Sequence, residues 1–166
     1  MKNVIWIICI LSVVSGIHAQ DFKSIGYLPH YRFDLIDDID FQKLTHVNIA
    51  FANPDLGGNL TVGGKNIDPI VEQLHHANVD VFISLAGGAL TSAWASAWEQ
   101  LTKPGIRSAF IHKMMVYARD HNLQGIDVDL EWSHVDENYS GFVLELRDSV
   151  DNHNLYLTAA LPGTYR

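Results

Sequence analysis

Apolar residues along the chain follow two different periodicities. Short apolar runs of the kind that form buried β-strands cover residues 24–28, 44–52, 79–85 and 155–161. Between these runs, apolar positions recur every three or four residues, which predicts helices over residues 66–78 and 104–120 and a third through Phe142, Leu146 and Val150. Strands that alternate with helices predict βα units and a parallel sheet whose strands are buried on both faces.

The remaining segments are expected to connect these elements. Residues 33–44 are mixed and acidic, which favours a loop with a short helix, and Asn53-Pro54 is expected to stop the second strand. Glycines within residues 57–64 predict a turn or a small hairpin. We find no repeat, linker or low-complexity segment, so a single α/β domain is predicted.

One further strand, within residues 123–132, has an unusual acidic face. Three aliphatic residues alternate there with three acids: Ile126, Val128 and Leu130 with Asp127, Asp129 and Glu131. Successive side chains of a strand point to opposite faces, so the carboxylates share one face and the aliphatic residues the other. A strand with only a structural role has no reason to bear the repulsion among three carboxylates. The pattern therefore favours a functional site over a solvated edge strand.

The N-terminal residues have the pattern of an export signal. Lys2 precedes an apolar run too short to span a bilayer as an ordinary helix, and Ala19 is a suitable cleavage residue. We therefore predict a signal peptide at residues 1–19 and a secreted chain, extracellular or periplasmic, that begins at residue 20. Cys9 is the single cysteine of the sequence, so the mature chain is predicted to contain no disulfide and no thiolate metal site.

The net charge narrows the range of partners. The 166-residue chain carries a formal net charge of −8 and has no basic stripe. Nucleic acid and anionic membranes attract basic surfaces, so neither is expected as a partner.

The acidic strand resembles the signature of glycoside hydrolase family 18, the chitinases and their relatives. That signature is Asp-x-x-Asp-x-Asp-x-Glu on the fourth strand of a (β/α)8 barrel, and residues 125–131 are similar to its inner part. Other pieces similar to the family fall in the expected order along the chain: Gly26-Tyr27, residues 48–52, Gly87-Gly88 and residues 158–162. The resemblance implies a (β/α)8 TIM barrel and covers essentially the whole mature chain.

Several features depart from the family pattern. Gln124 stands where the family has its first acid, Leu130 replaces an aromatic residue, and residues 84–86 only approximate the usual serine-containing turn. A (β/α)8 barrel typically needs about 250 residues. We therefore expect residues 20–166 to form the N-terminal part of a family 18 catalytic domain, strands one to about five, belonging to a longer enzyme or to a truncated product.

The resemblance also implies roles for individual residues. Glu131 would protonate the glycosidic oxygen in a substrate-assisted retaining mechanism, an exception to the usual two-carboxylate scheme. Asp129 would hold the acetamido N–H of the sugar, and Asp127 would share a proton with Asp129, because two adjacent carboxylates cannot both ionise cheaply. No cofactor or metal ion is implied.

Chitin or N-acetylglucosamine oligosaccharides are the implied substrates. Tyr27, Trp132 and Trp94 are the candidate aromatic platforms for the sugar, although packing explains Trp94 and the nearby Trp98 equally well. Phe51 is expected to pack inside the barrel rather than to contact the ligand.

Other interpretations remain open at this level. An endo-β-N-acetylglucosaminidase acting on N-glycans would use the same acids, a chitin- or glycan-binding lectin could share the barrel, and a truncated chain could be inert. The acidic row could also bind Mg²⁺ or Ca²⁺, which take carboxylate oxygens. The adjacent His75 and His76 are expected to lie at a solvated helix end rather than to bind a metal, because neighbouring residues of a helix point to different faces.

Overall fold

The computed structural model describes residues 22–131 and 134–161. The predicted signal peptide at residues 1–19 lies outside them, as does Trp132. Six strands form one mostly parallel sheet: β1 (Ile25–Pro29), β2 (His46–Pro54), β3 (Leu60–Thr61), β4 (Asp80–Ala86), β5 (Gly125–Asp129) and β6 (Tyr156–Ala159). The parallel order is β1-β2-β4-β5-β6, and the short β3 pairs antiparallel with the end of β2.

Helices connect the parallel strands. They are α1 (Asp68–His76), α2 (Ser92–Leu101), α3 (Arg107–Asp120) and α4 (Tyr139–Asn152), and two 3-10 helices, His30–Asp38 and Phe41–Lys43, follow β1. Three of the α-helices and all five parallel strands confirm the elements predicted from the sequence. The sheet order and the βα connections are those of consecutive units of a (β/α)8 barrel.

Helix α2 was not predicted as an element, although Trp94, Trp98 and Leu101 recur at helical spacing, because the residues between them are mostly small. Thr91 caps it by accepting a hydrogen bond from the Trp94 backbone N–H at 3.3 Å. One face of the helix is buried through Ala97, Trp98 and Leu101. The helix is therefore stabilised by its cap and by burial of this apolar face.

The outer face of the sheet and the helices enclose the hydrophobic core. Ile49, Ile83 and Ile126 are fully buried on neighbouring strands of the sheet. Trp98 packs edge-on against the rings of Phe110 and Phe142, with ring centroids 5.5 and 6.1 Å away. Trp98 is therefore a core residue, so packing rather than sugar contact explains it.

A buried asparagine ties Trp98 to the sheet. The Trp98 indole N–H donates to Asn53 Oδ1 at 2.9 Å, and the Asn53 amide donates to the Ala86 carbonyl at 3.1 Å. The second strand ends at Asn53-Pro54 as predicted, but both of these residues belong to β2, which extends two residues beyond the predicted range. Asn53 joins the ends of β2 and β4 to α2.

Aromatic side chains cover the lower part of the inner face of the sheet. Phe82 lies against Tyr156 with nearly parallel rings 6.2 Å apart and meets His46 edge-on at 5.3 Å. Gly125 is paired in register with both Phe82 and Tyr156. A Cβ on Gly125 would lie 2.7 Å from the Phe82 ring and 2.7 Å from the Tyr156 carbonyl oxygen. Glycine at this position therefore lets the Phe82 ring lie under the acidic residues of β5.

No helix among residues 22–131 and 134–161 is both long enough and apolar enough to cross a membrane.

We expect Gly125→Ala to destabilise the protein by about 2 kcal/mol, because the added methyl group has no free volume against a ring and a backbone oxygen. Urea unfolding followed by circular dichroism measures the change. Gly26→Ala is the matched control on β1, where the added Cβ meets only the flexible end of Leu44 at 3.3 Å. Equal stability of the two variants would contradict this account of Gly125.

Candidate active site

The side chain of Asp127 is the most deeply buried carboxylate of the acidic row, with 2% of its surface exposed. Three hydroxyl groups donate hydrogen bonds to it. Oδ2 accepts from Tyr27 Oη at 2.9 Å and from Ser84 Oγ at 2.7 Å, and Oδ1 accepts from Thr158 Oγ1 at 2.6 Å. Both oxygens of this buried group are therefore hydrogen-bonded, as a buried carboxylate requires.

The three donors come from different strands. Ser84 on β4 and Thr158 on β6 are the register partners of Asp127, so all three residues point to the inner face of the sheet. Tyr27 reaches the same carboxylate from β1 across the curved sheet. No hydrogen bond joins Asp127 to Asp129 in the part of the chain that the structure describes. The expected sharing of a proton between these two carboxyl groups is therefore not seen as a direct contact in this geometry.

Asp129 is the last residue of β5 and has a different environment. It is 8% exposed, and its Oδ1 has no hydrogen-bond partner among the described residues. Burial and, after it, the neighbouring charges of Glu131 and Asp127 together raise the pKa of Asp129 to about 6. Asp129 is thus a buried carboxyl group with one oxygen that has no hydrogen-bond partner among the described residues.

Glu131 lies two residues beyond the end of β5 and is partly exposed. The predicted strand was too long at this end, but the acids stay on the same side of the sheet. Glu131 and Asp129 both line a cavity of about 400 Å³ at the carboxyl ends of the strands, together with Tyr27, Pro29, Tyr31, Ala50, Phe51 and Ala160. This is the edge at which (β/α)8 barrels carry their active sites.

Aromatic rings form one wall of this cavity. Tyr27 was predicted as a sugar platform, and its ring lines the cavity while its hydroxyl binds Asp127. Burial and the contact with Asp127 raise the pKa of Tyr27 to about 12, so it stays a hydrogen-bond donor. Tyr31 and Phe51 also line the cavity, which the sequence analysis missed. Phe51 was expected to pack inside the barrel, but its ring also lines the cavity. Tyr31 could have been predicted as a cavity residue from the sequence, because it lies two residues after the end of β1.

A tight turn holds Phe51 in this wall. Gly87 has a φ of +83°, and a Cβ at this position would lie 2.7 Å from the Phe51 ring. The Gly87 N–H also donates to the Asp129 backbone carbonyl at 3.0 Å. The glycine after β4 therefore allows the chain to pass close to both the aromatic wall and the end of the acidic strand.

Two other predicted sugar contacts have different outcomes. Trp94 lies in the first turn of α2, is partly buried and does not line the cavity that contains Asp129 and Glu131. Trp132 lies outside the described residues, so its prediction as a sugar platform is unchanged.

A second cavity, of about 430 Å³, lies between α1 and the end of α3 and contains none of the three acids of the row. His75, His76 and His121 lie on its wall. Gln124, where the family has its first acid, accepts from the Val81 N–H at 2.8 Å and contacts His75 Nε2 at 2.8 Å. Within residues 22–131 and 134–161, no group of three or more His, Cys, Asp or Glu side chains is arranged to hold a metal ion.

The arrangement at the carboxyl ends can perform acid–base chemistry beside a sugar. A partly exposed carboxyl group, a buried one with a free oxygen and an aromatic wall face one cavity, and protonated carboxyl groups donate to glycosidic oxygens in most glycoside hydrolases. Fold and site together define a barrel of the glycoside hydrolase class. A sequence model described as Glycosyl hydrolases family 18 matches residues 23–166, and the chain belongs to this family.

Solved structures agree with this assignment. The GH18 chitinase ChiB from the chitin utilization locus of Flavobacterium johnsoniae is 46% identical, with a TM-score of 0.82 over 86% of this chain and 47% of that one. A chitinase from Bacteroides thetaiotaomicron is 27% identical, with a TM-score of 0.65 over 82% of this chain and 45% of that one. The chain therefore spans under half the length of each of these structures.

A curated relative is more distant. The Class V chitinase CHIT5 of Lotus japonicus is 26% identical over 143 residues, which are 80% of this chain and 36% of that protein.

We expect Asp127→Asn to lower the titration midpoint of the Asp129 carboxyl group from about 6, because the charge of Asp127 no longer opposes ionisation of Asp129. Burial remains, so the midpoint should stay above the ordinary aspartate value of about 3.9. Titration of ¹³C-labelled aspartate carboxyls by NMR measures it, with Asp129→Asn used to assign the signal. Asp148→Asn, on the opposite side of the sheet in α4, is the control and should leave the midpoint unchanged. A midpoint in Asp127→Asn at or above the wild-type value would contradict the electrostatic coupling.

Proposed function

We propose that this chain carries the proton-donating half of a chitinase-type active site and that its substrates are β-1,4-linked N-acetylglucosamine polymers. The observation that carries the proposal is the common cavity of Glu131 and Asp129 beside an aromatic wall. Membership of family 18 and the chitinases among the similar structures support it. The chain covers only part of these relatives, so the proposal concerns the residues it contains.

In the proposed reaction, protonated Glu131 donates its proton to the glycosidic oxygen. The carbonyl oxygen of the substrate's own 2-acetamido group attacks the anomeric carbon as the bond to the leaving sugar breaks. A cyclic oxazolinium-type intermediate forms, and the leaving sugar departs with the proton from Glu131. Water then attacks the anomeric carbon as its bond to the acetamido oxygen breaks, which restores the acetamido group. Ionised Glu131 takes up a proton from this water, and the original stereochemistry is retained.

Asp129 is proposed to bind the acetamido N–H through its free oxygen. Its Oδ1 is buried without a partner among the described residues and lies at the cavity that would hold the sugar. A hydrogen bond from the acetamido group would satisfy that oxygen and turn the acetamido carbonyl toward the anomeric carbon. An ionised Asp129 would also stabilise the positive charge of the intermediate, because the interaction occurs away from bulk water.

The aromatic wall is proposed to bind the apolar face of the sugar ring. Tyr27 and Phe51 stand with ring centroids 6.4 Å apart at the cavity, and Tyr31 is 68% exposed beside them. Aromatic side chains contribute large apolar contact area with little loss of conformational freedom, which suits a ring with one apolar face.

We expect Glu131→Gln to lower the turnover of chitooligosaccharides at least about a thousandfold, because glutamine keeps the shape of the side chain but cannot donate a proton to the leaving oxygen. Binding should stay within about threefold of wild type, since the aromatic wall and Asp129 are unchanged. Release of a fluorogenic leaving group measures turnover, and calorimetry at equal pH measures binding.

Glu99→Gln is the matched control for this experiment. Glu99 is an exposed residue of α2 that pairs with Lys103 at 3.4 Å and lies outside the cavity. It should leave turnover unchanged. If Glu131→Gln kept a tenth of normal turnover, the assignment of Glu131 as proton donor would be wrong. Binding without any turnover by the wild-type chain would instead indicate a lectin, and turnover confined to N-glycan cores would indicate the endo-glycosidase.

Export is part of the proposed function, because chitin is an insoluble polymer outside the cell that makes it. The pattern of residues 1–19 supports a cleaved signal peptide. We expect the protein recovered from an exporting host to begin at Gln20, and intact-mass spectrometry with N-terminal sequencing checks it. Ala19→Arg should block cleavage at this position, because the peptidase site requires a small residue. Recovery of exported wild-type protein that still carries residues 1–19 would contradict the proposal.

A further inference from the structure

Three hydroxyl groups surround Asp127, and they are not equivalent. Tyr27 and Ser84 both donate to Oδ2, so loss of either still leaves that oxygen with one donor. Oδ1 has a single described donor, the hydroxyl of Thr158 at 2.6 Å. Thr158 therefore controls one oxygen of the buried carboxylate by itself.

The state of this oxygen affects the neighbouring acid. Asp127 and Asp129 follow one another on the same face of β5, and the charge of Asp127 is one of the causes that raise the pKa of Asp129. A hydroxyl that donates to Oδ1 stabilises the ionised form of Asp127 and occupies the position at which a proton would otherwise bind. The proton of this pair is then left to Asp129, which lines the same cavity as Glu131.

We propose that Thr158 is a positioning residue for the reaction: its hydroxyl holds Asp127 as an ionised acceptor and so directs the proton of the acidic row to Asp129 and Glu131. The inference rests on the proposed function and extends it to a residue on a different strand. It requires no contact between Thr158 and the substrate.

Every element packed around the acidic row contributes to this balance. Tyr27 faces Asp127 from β1, Ser84 from β4 and Thr158 from β6. Asn48 on β2 is the register partner of Tyr27. Tyr139 at the start of α4 has its pKa raised by burial and then by the charges of Asp127 and Asp129. None of these groups carries a positive charge. The ionised form of Asp127 is thus stabilised by hydroxyl donors rather than by an ion pair with any of them.

The test compares Thr158→Val with Thr158→Ser in the full chain. Valine has the shape of threonine and suits a strand but lacks the hydroxyl, whereas serine keeps the donor. We expect Thr158→Val to lower kcat on chitooligosaccharides roughly tenfold or more, with KM within about twofold, because a lost hydrogen bond to a charged group is worth at least this much. Thr158→Ser should restore kcat to within about threefold of wild type.

The pH dependence separates positioning from a loss of stability. Thr158→Val should change the acidic limb of the kcat profile, because Asp127 then competes with Asp129 for the proton. Thr102→Val is the matched control. The Thr102 hydroxyl is also buried and donates to the Trp98 carbonyl at 2.8 Å, but it lies away from the cavity. This control should lower stability and leave the pH profile unchanged.

A measurement that does not need turnover tests the role of Thr158 separately from the proposed chitinase-type function. NMR titration of ¹³C-labelled aspartate carboxyls should show a smaller protonated fraction of Asp129 at pH 6 in Thr158→Val than in wild type, and a wild-type fraction in Thr158→Ser and in Thr102→Val. If wild type hydrolyses no chitooligosaccharide, the proposed function fails, and this titration still decides the role of Thr158. An unchanged Asp129 titration in Thr158→Val, or a loss that Thr158→Ser does not restore, overturns the inference.

Discussion

Burial of the Asp127 carboxylate is the constraint on which the site depends. A carboxylate that is 2% exposed must receive hydrogen bonds, because the cost of removing its charge from water is several kcal/mol. Its donors stand on three strands, β1, β4 and β6, which places Tyr27, Ser84 and Thr158 at fixed positions. A slip of one residue in any of these strands would turn its hydroxyl away from the inner face. The hydrogen bonds to Asp127 therefore form only when these strands have the observed register.

The acids of the row differ because their depth differs. Asp127 lies deepest and both its oxygens are hydrogen-bonded, Asp129 is buried at the strand end with a free oxygen, and Glu131 lies beyond the strand at the cavity. Carboxyl groups of similar chemistry are thereby given different hydrogen-bond partners and different access to a ligand. The division of roles proposed here follows from these environments, and membership of family 18 agrees with it.

Two glycines give the site its close approaches. Gly125 admits the Phe82 ring beneath the acids, and Gly87 admits the Phe51 ring beside Asp129. A side chain at either position would push an aromatic ring against the acidic row. The packing of the sheet and the shape of the cavity thus depend on the absence of a Cβ at these two glycines as well as on the side chains that line the cavity.

The sequence by itself determined the alternation of strands and helices and the acidic face of β5, because both are local patterns of period two or of helical spacing. It also carried the resemblance to family 18, because that resemblance rests on a short motif within one strand and on flanking pieces in the same order. It also indicated Tyr27, which directly precedes the end of a strand. Only the tertiary structure decided that Thr158 and Ser84 bind Asp127, that Tyr31 and Phe51 line the cavity, and that Trp98 is core while Trp94 lies away from the acids. These facts depend on the order and register of strands far apart in the chain, and no local pattern of hydrophobic and polar residues contains that information.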